Sequence, residues 1–202
     1  CTGEAGRADA RRMCSMVATE LGLPVEDVLV CSTGVIGVAL PMDVIASGIP
    51  RVVGALRDDG GPEAAAAMMT TDTVAKHAAV VLDLDGSTVT VGAVAKGAAM
   101  ISPNMATMLS VVTTDAAVPT AQLQALLTRA VGRSFNCCTV DGDMSTSDTV
   151  IALANGIAMG GIDGAPPDLL PDLSPQGFEA LAAAMEHVCR KMARAMAGDG
   201  EG

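Results

Sequence analysis

The sequence predicts an α/β (α+β) fold in which helices pack on a β-sheet as a layered sandwich. Three observations predict this fold class. Apolar residues recur at helical spacing towards both ends of the chain, two runs near its middle alternate as β-strands do, and half of the 202 residues are apolar while 17% are charged. This composition can fill a core and is not that of a disordered chain.

Helices are expected to dominate the first 70 residues. An amphipathic helix is predicted over residues 4–22, with its methionines and aliphatic residues on one face. Residues 28–31 are predicted as a short buried strand that leads into a glycine-containing turn at 32–37. Short helices are expected within 43–58 and 63–69.

A β-hairpin in the middle of the chain is the clearest local prediction. Residues 79–84 form its first strand, Asp85-Gly86 is a two-residue hairpin turn, and the second strand begins with the alternating residues 88–91 and continues through residue 96. A further strand is expected at 109–113.

The last third of the chain is predicted to be mainly helical. One helix begins at Pro119-Thr120, Asp148 is expected to cap another that runs to Asn155, and Ser174-Pro175 begins a long amphipathic one. Residues 137–141 are predicted as a strand. Residues 156–174, with their glycine and proline breaks, are predicted as a long loop.

Charge and aromatic content exclude two classes of partner. The net charge of −11 and the pI near 4.4 suit neither a phosphate backbone nor an anionic membrane. With 1% aromatic residues, the chain lacks the rings on which nucleic-acid binders stack bases. The fifteen uncharged residues between Asp27 and Asp43 are too few and too polar to span a bilayer. We therefore expect no nucleic-acid partner and no membrane partner.

The titratable residues contain no familiar metal or nucleophile motif. The six cysteines form no CxxC pair, so we expect buried thiols in a reducing compartment rather than a zinc site. His77 and His187 are expected at the surface. Residues 141–148 resemble a calcium loop, but Thr146 and Ala152 occupy its glycine and glutamate positions, so we predict a capped turn.

Two segments do not fit a purely structural role. Residues 32–37 form a small glycine-containing turn that can point backbone N–H groups outward, as an oxyanion site requires. Residues 96–109 place Lys96 and Asn104 in an otherwise apolar stretch, where a core strand needs neither. From the pattern alone, an ordinary turn and a bent buried strand stay open as alternative interpretations.

The run Lys-Gly-Ala-Ala-Met-Ile-Ser-Pro-Asn-Met-Ala-Thr-Met-Leu at 96–109 resembles the self-cleavage motif of the ornithine acetyltransferases of arginine biosynthesis, a family also called glutamate N-acetyltransferase. The resemblance covers essentially the whole chain. The family's chain extends further at both ends, so we expect this sequence, incomplete at both ends, to be the central piece of a longer protein. Further segments that are similar to the family, in its order, are 1–4, 32–37, 69–73, 135–136, 139–143 and 199–202.

The resemblance implies that the precursor cuts itself between Ala106 and Thr107. The Thr107 hydroxyl attacks the preceding carbonyl, and the ester that forms is hydrolysed. Residues 1–106 are then the C-terminal part of an α chain, with the oxyanion-hole turn and the cleavage motif. Residues 107–202 are the N-terminal part of a β chain, with the nucleophile and the substrate-binding segment. The new α-amine of Thr107, with a pKa of about 7.7–8.0, can serve as the local base.

The reaction that the resemblance implies is ping-pong transfer of an acetyl group from N2-acetylornithine to glutamate through an ester of Thr107. Thr33 and Gly34 match the family's oxyanion-hole positions. Lys96 suits an α-carboxylate, and Glu201 suits the cationic group of ornithine. The residues that match family substrate contacts are Thr73, Lys96, Thr107 and Glu201.

The resemblance implies no metal, nucleotide or prosthetic group, and an α2β2 heterotetramer. It leaves open whether acetyl-CoA is a second donor, which would add N-acetylglutamate synthase activity. The compartment is the cytoplasm in a bacterium and the mitochondrial matrix or plastid in a eukaryote. Two alternatives stay open: a self-processing aminopeptidase of similar architecture, which passes the acyl group to water, and an uncleaved, inactive fragment with a binding or structural role.

Overall fold

The computed structural model describes residues 2–100, 108–161, 168 and 170–200. The chain divides into two compact units, Cys1–Gly60 and Gly61–Gly202. Helices and one β-sheet make up the described residues, so the predicted α/β class is confirmed.

The first unit contains two contacting helices, α1 (Gly3–Leu21) and α2 (Met42–Val53), with a 3₁₀ turn at Val25–Asp27 between them. Both helices were predicted. α1 ends where Gly22 adopts a left-handed conformation, with φ of +67°, that suits glycine better than any other residue.

The predicted strand at 28–31 is wrong. The backbone is extended at Val28, but the described part of the first unit offers no second strand to pair with it. The apolar side chains of this segment are also largely in solvent, with Leu29 61% exposed. A short apolar run therefore does not become a strand here, because a strand needs a ladder of hydrogen bonds to a neighbour.

The second unit is built on a four-stranded sheet in the order β1-β2-β3-β4. The strands are β1 (Lys76–Leu84), β2 (Ser87–Lys96), β3 (Leu109–Thr114) and β4 (Thr149–Ala154). β1, β2 and β3 pair antiparallel, and β4 pairs parallel to β3.

The predicted hairpin is confirmed. Leu84 faces Ser87 across a turn in which Asp85 and Gly86 both have positive φ, +52° and +87°. Asp-Gly favours this turn, because its twist matches the twist of the two strands and glycine tolerates positive φ.

Two predictions in the last third of the chain are wrong. Residues 149–154 were expected in a helix capped by Asp148, but they form β4 because Val150 and Ile151 complete the ladder beside β3. Residues 137–141 are not a strand; a 3₁₀ turn at Phe135–Cys137 leads into a loop instead. In the predicted loop at 156–174, the described part holds a 3₁₀ turn at Ile157–Met159.

Three further helices, all predicted, complete this unit: α3 (Gly61–Ala67), α4 (Thr120–Gly132) and α5 (Pro175–Gly198). α5 lies against β1 and β2 and contacts α4. Its apolar face fills the core, where each fully buried large side chain contributes about 1.5–3 kcal/mol. Core residues from β2, α4 and α5 include Val89, Val91, Leu126, Ala130, Leu181, Met185, Val188, Met192 and Met196.

None of the helices in the described part of the chain combines the length and apolar character needed to cross a membrane.

Candidate active site

Lys96 ends the central strand β2 with its side chain inside the protein. The residue is 4% exposed, and its Nζ donates a hydrogen bond to Thr70 Oγ1 at 2.7 Å. No carboxylate among the described residues forms an ion pair with it. Burial, which disfavours the charged form, lowers the pKa of Lys96; the nearby charge of Asp72 acts to raise it, and that of Lys76 lowers it further.

Asp72 accepts hydrogen bonds from three residues around Lys96. Its Oδ1 accepts hydrogen bonds from Lys76 Nζ and from the Gly97 N–H, both at 2.7 Å, and its Oδ2 accepts one from the Thr70 N–H at 3.2 Å. Burial alone would raise the pKa of Asp72, but the hydrogen bonds from Gly97, Lys76 and Thr70, with the charge of Lys76, lower it overall. Asp72 is therefore a fully occupied carboxylate that joins Thr70 and Gly97.

Asp199 brings the end of α5 to the same cluster. Its Oδ2 accepts hydrogen bonds from Lys76 Nζ at 2.6 Å and from the Thr73 N–H at 3.0 Å, while the Thr73 hydroxyl donates to its Oδ1. The hydrogen bonds from Lys76 and Thr73 hold the pKa of Asp199 well below its usual range. The end of a helix is thus tied to a segment more than 120 residues away in sequence.

Lys76 bridges the two carboxylates from the start of β1. Its side chain is completely buried, as is that of Asp72, and the Asp199 side chain is 4% exposed. Buried charges are expensive unless they are paired, and here one ammonium balances part of the charge of two carboxylates. The described cluster thus contains a paired lysine, Lys76, and a lysine without a carboxylate partner, Lys96.

The structure brings two of the predicted substrate contacts into one network. Lys96 bonds Thr70, which bonds Asp72; Asp72 shares Lys76 with Asp199, and Asp199 bonds Thr73. Lys96 is a desolvated ammonium that makes one hydrogen bond to the described residues, and such a group is suited to a carboxylate ligand.

Three predicted site residues, Ala106, Thr107 and Glu201, lie outside the described residues. Met108 follows Thr107 directly, and its N–H donates to Asp148 Oδ1 at 2.8 Å, while its carbonyl accepts from the Thr149 N–H at 3.1 Å. Burial raises the pKa of Asp148, although the hydrogen bonds from Met108 and Ser145 oppose that change.

Thr33 and Gly34, the predicted oxyanion-hole residues, lie in the first unit. They precede a tight turn in which the Val38 N–H donates to the Val35 carbonyl at 3.1 Å and Gly37 has φ of +79°. Thr33 is half-buried and Gly34 is exposed. Within residues 2–60, neither backbone N–H has a hydrogen-bond acceptor, which is the state that an oxyanion donor needs.

Sequence reasoning missed Asp72, Lys76, Asp199 and Asp148 as parts of this arrangement. Asp72 and Asp199 lie inside motifs that were identified, but a motif alone does not show which of its residues contact one another. A usable signal was the position of Lys76 at the beginning of a strand whose other residues are mostly apolar.

The remaining titratable residues follow the predictions in part. His77 and His187 are exposed, as predicted, and Cys138 and Cys189 are buried. The expectation that the thiols are buried is wrong for Cys137, which is exposed on the 3₁₀ turn after α4. Among the described residues, no group of three His, Cys, Asp or Glu side chains could hold a metal ion.

Comparisons with known proteins identify the family of the chain. A family model described as the ArgJ family matches residues 1–202. The arginine biosynthesis bifunctional protein ArgJ of Symbiobacterium thermophilum is 51% identical over 204 residues, which cover 100% of this chain and 48% of that relative. The protein of the same name from a Synechococcus species is 47% identical over 203 residues, covering 100% of this chain and 46% of that relative.

Among solved structures, the crystal structure of arginine biosynthesis bifunctional protein ArgJ from Bacillus halodurans aligns with 44% sequence identity and a TM-score of 0.46, covering 52% of this chain and 55% of that chain. The chain spans about half the length of the curated relatives it matches. The family model covers every residue of the sequence, and the resemblance seen in the motifs is confirmed: the chain belongs to the ArgJ family.

Proposed function

We propose that the full-length protein cuts itself between Ala106 and Thr107 and then transfers an acetyl group from N2-acetylornithine to glutamate through an ester of Thr107. Family membership supports the class of reaction, and the matched relatives are named as arginine biosynthesis proteins. The observation that carries the proposal is Lys96, a buried ammonium without a carboxylate partner among the described residues, beside Thr70. Both substrates carry the α-carboxylate that such a group binds.

Self-cleavage begins with attack of the Thr107 hydroxyl oxygen on the Ala106 carbonyl carbon. The C–N bond of that peptide breaks, the nitrogen takes up the hydroxyl proton, and an ester joins Ala106 to Thr107. Water then hydrolyses the ester, which leaves a carboxylate on Ala106 and a free hydroxyl and α-amine on Thr107. The residue types suit this step, because a methyl side chain such as that of alanine adds little steric hindrance to attack on its carbonyl carbon.

Acetyl transfer repeats the same chemistry on an external substrate. The α-amine of Thr107 takes the hydroxyl proton while the oxygen attacks the acetyl carbonyl, and the proton passes to the departing amine of ornithine. The amine of glutamate then attacks the acetyl ester, and N-acetylglutamate leaves as Thr107 recovers its proton.

Each tetrahedral intermediate carries an oxyanion, and we assign its donors to Thr33 and Gly34. Their backbone N–H groups are unused within residues 2–60. Loss of one such donor costs roughly 10²–10³ in kcat. We assign Lys96 to the α-carboxylate, Thr73 to a further substrate contact and Glu201 to the cationic end of ornithine.

The relatives are named bifunctional, which favours a second activity, and we propose acetyl-CoA as the second donor to glutamate. We further propose an α2β2 assembly that uses no metal or prosthetic group. The relatives named above are bacterial, which favours the cytoplasm among the compartments considered.

The test uses the full-length protein. We expect two bands on a denaturing gel, a second chain that begins at Thr107, and labelled N-acetylglutamate from acetyl-labelled N2-acetylornithine and glutamate. Thr107→Ala abolishes both processing and transfer, whereas Thr128→Ala, an exposed threonine on α4, changes neither. Release of free acetate alone favours the aminopeptidase, and one band without turnover favours an inactive fragment. Full turnover with an intact 106–107 bond overturns the proposal.

A further inference from the structure

We infer that Lys76 is a positioning residue that reserves Lys96 for the substrate carboxylate by holding the Asp72 and Asp199 carboxylates itself. The inference rests on the proposed function, since it concerns the same substrate carboxylate. Lys76 is placed in the interior, bridging both carboxylates, and we assign it no substrate contact.

The carboxylates of Asp72 and Asp199 are both occupied by hydrogen-bond donors of this cluster. Lys76 Nζ lies 2.7 Å from Asp72 Oδ1 and 2.6 Å from Asp199 Oδ2. Backbone N–H groups and the Thr73 hydroxyl take the remaining hydrogen bonds of both side chains. Among the described residues, neither carboxylate forms an ion pair with Lys96, although the charge of Asp72 acts to raise the pKa of Lys96.

Asp72 and Lys96 are connected through two shared neighbours, Thr70 and Gly97. Asp72 accepts from the N–H of Gly97, the residue next to Lys96, and Asp72 and Lys96 both bond Thr70. A buried carboxylate that loses its ammonium partner is strongly disfavoured and pairs with any cation in reach. Without the Lys76 charge, Lys96 is that cation, and its pairing with Asp72 competes with substrate.

An unpaired Lys96 makes the site selective for an acid over an amide. A free Lys96 distinguishes a substrate carboxylate from a neutral carboxamide, since an ammonium–carboxylate hydrogen bond is stronger than one to a neutral acceptor. A Lys96 paired with Asp72 no longer makes this distinction. Lys76 therefore determines the preference for acid over amide at a distance from the ligand.

The experiment compares N2-acetylornithine with its α-carboxamide as donors to glutamate, using the processed full-length enzyme. The readout is the ratio of kcat/KM for the acid to kcat/KM for the amide. We expect Lys76→Met to lower this ratio about 10-fold, mainly through KM for the acid. Lys76→Arg retains the charge and the ratio. Lys191→Met, which removes an exposed lysine on α5, leaves the ratio unchanged.

The triple variant Lys76→Met/Asp72→Asn/Asp199→Asn keeps the inference falsifiable if Lys76→Met fails to fold, because it removes both buried carboxylates together with the ammonium that they share. We expect it to regain the preference for the acid. A purely structural role for Lys76 lowers turnover of acid and amide alike and leaves the ratio of Lys76→Met at the wild-type value. That result, or a folded triple variant without acid preference, overturns the inference.

Wild type and Lys96→Met, measured in parallel, separate this inference from the proposed function. Wild type without transfer, or Lys96→Met with the full acid preference, contradicts the proposed function. An acid preference that depends on Lys96 but not on Lys76 contradicts only the inference.

Discussion

The Asp148 carboxylate accepts a hydrogen bond from the Met108 N–H at 2.8 Å, which ties the entry of β3 to the entry of β4. Met108 is 1% exposed, so water cannot replace Asp148 as the acceptor for its N–H. The same carboxylate accepts from the Ser145 N–H at 3.2 Å. Asp148 thus fixes the residue that follows the proposed nucleophile.

Asp148→Ala is therefore expected to lower the free energy of unfolding by about 1–3 kcal/mol, because it leaves a buried N–H without an acceptor. It should also slow the appearance of the two processed chains. Asp148→Asn keeps one acceptor oxygen for Met108 and should lose less. Urea titration and timed denaturing gels measure both effects. Asp143→Ala, in the exposed part of the same loop, is the matched control, and equal effects from Asp143→Ala and Asp148→Ala would contradict this role.

The proposed contact between Lys96 and the substrate carboxylate predicts a pH dependence of substrate binding. Burial lowers the pKa of this ammonium, so its charge is lost at a lower pH than the roughly 10.4 of an ordinary lysine. KM for N2-acetylornithine should rise as the pH rises through that lowered pKa. Lys96→Arg stays charged across the whole range and should remove the alkaline rise. A rise in KM that is the same in wild type and Lys96→Arg would show that another group titrates.

Acid stability should depend on Asp199. Hydrogen bonds from Lys76 and Thr73 hold its pKa in the folded protein below its value in the unfolded chain. The stabilisation is therefore present above the unfolded pKa of about 3.9 and is lost as the pH falls through the folded one. Asp199→Asn should be less stable than wild type near neutral pH, and the difference should shrink in strong acid.

Urea midpoints of the full-length protein at neutral and strongly acidic pH measure this difference. Asp143→Asn provides the control, because its carboxylate is exposed and makes no ion pair in the described part of the loop. A stability difference for Asp199→Asn that does not vary with pH would assign its effect to shape rather than charge.

Thiol reactivity should follow burial. Desolvation raises the pKa of Cys189 to about 12, although a hydrogen bond with Ser134 opposes the rise, and the residue is completely buried. Because the thiolate is the reactive form, iodoacetamide should modify exposed Cys137 in the native protein and leave Cys189 unmodified. Mass spectrometry of peptides gives the result, with urea-unfolded protein as the control in which both react. Equal native labelling of the two would contradict the packing of α5.

Local patterns in the sequence predicted the helices and the hairpin, because each pattern lies within one element. Asp85-Gly86 identified a turn whose two strands are adjacent in sequence. β4 was not predicted, since residues 149–154 become a strand only through pairing with β3, forty residues earlier. The strand prediction for residues 28–31 was wrong for the opposite reason. These residues have the composition of a strand, but no strand in the described part of their unit pairs with them.

Motifs in the sequence also identified some residues of the site, whereas others became apparent only from the structure. Lys96 and Thr73 were identified from motifs, and the structure joins them through one hydrogen-bond network. Lys76 and Asp199 could not be assigned from sequence, because their pairing depends on where α5 ends relative to β1. Thr70 lies within the identified segment 69–73, and only the structure shows that its hydroxyl accepts the hydrogen bond from Lys96.

The ion pair between Asp199 and Lys76 requires α5 to have a fixed length. Met196 is held in the core three residues before Asp199, so removal of one residue between them would rotate the carboxylate by about 100° and draw it back by about 1.5 Å. Neither carboxylate oxygen would then reach the ammonium. The number of residues between Met196 and Asp199 therefore determines whether the Asp199 carboxylate reaches Lys76.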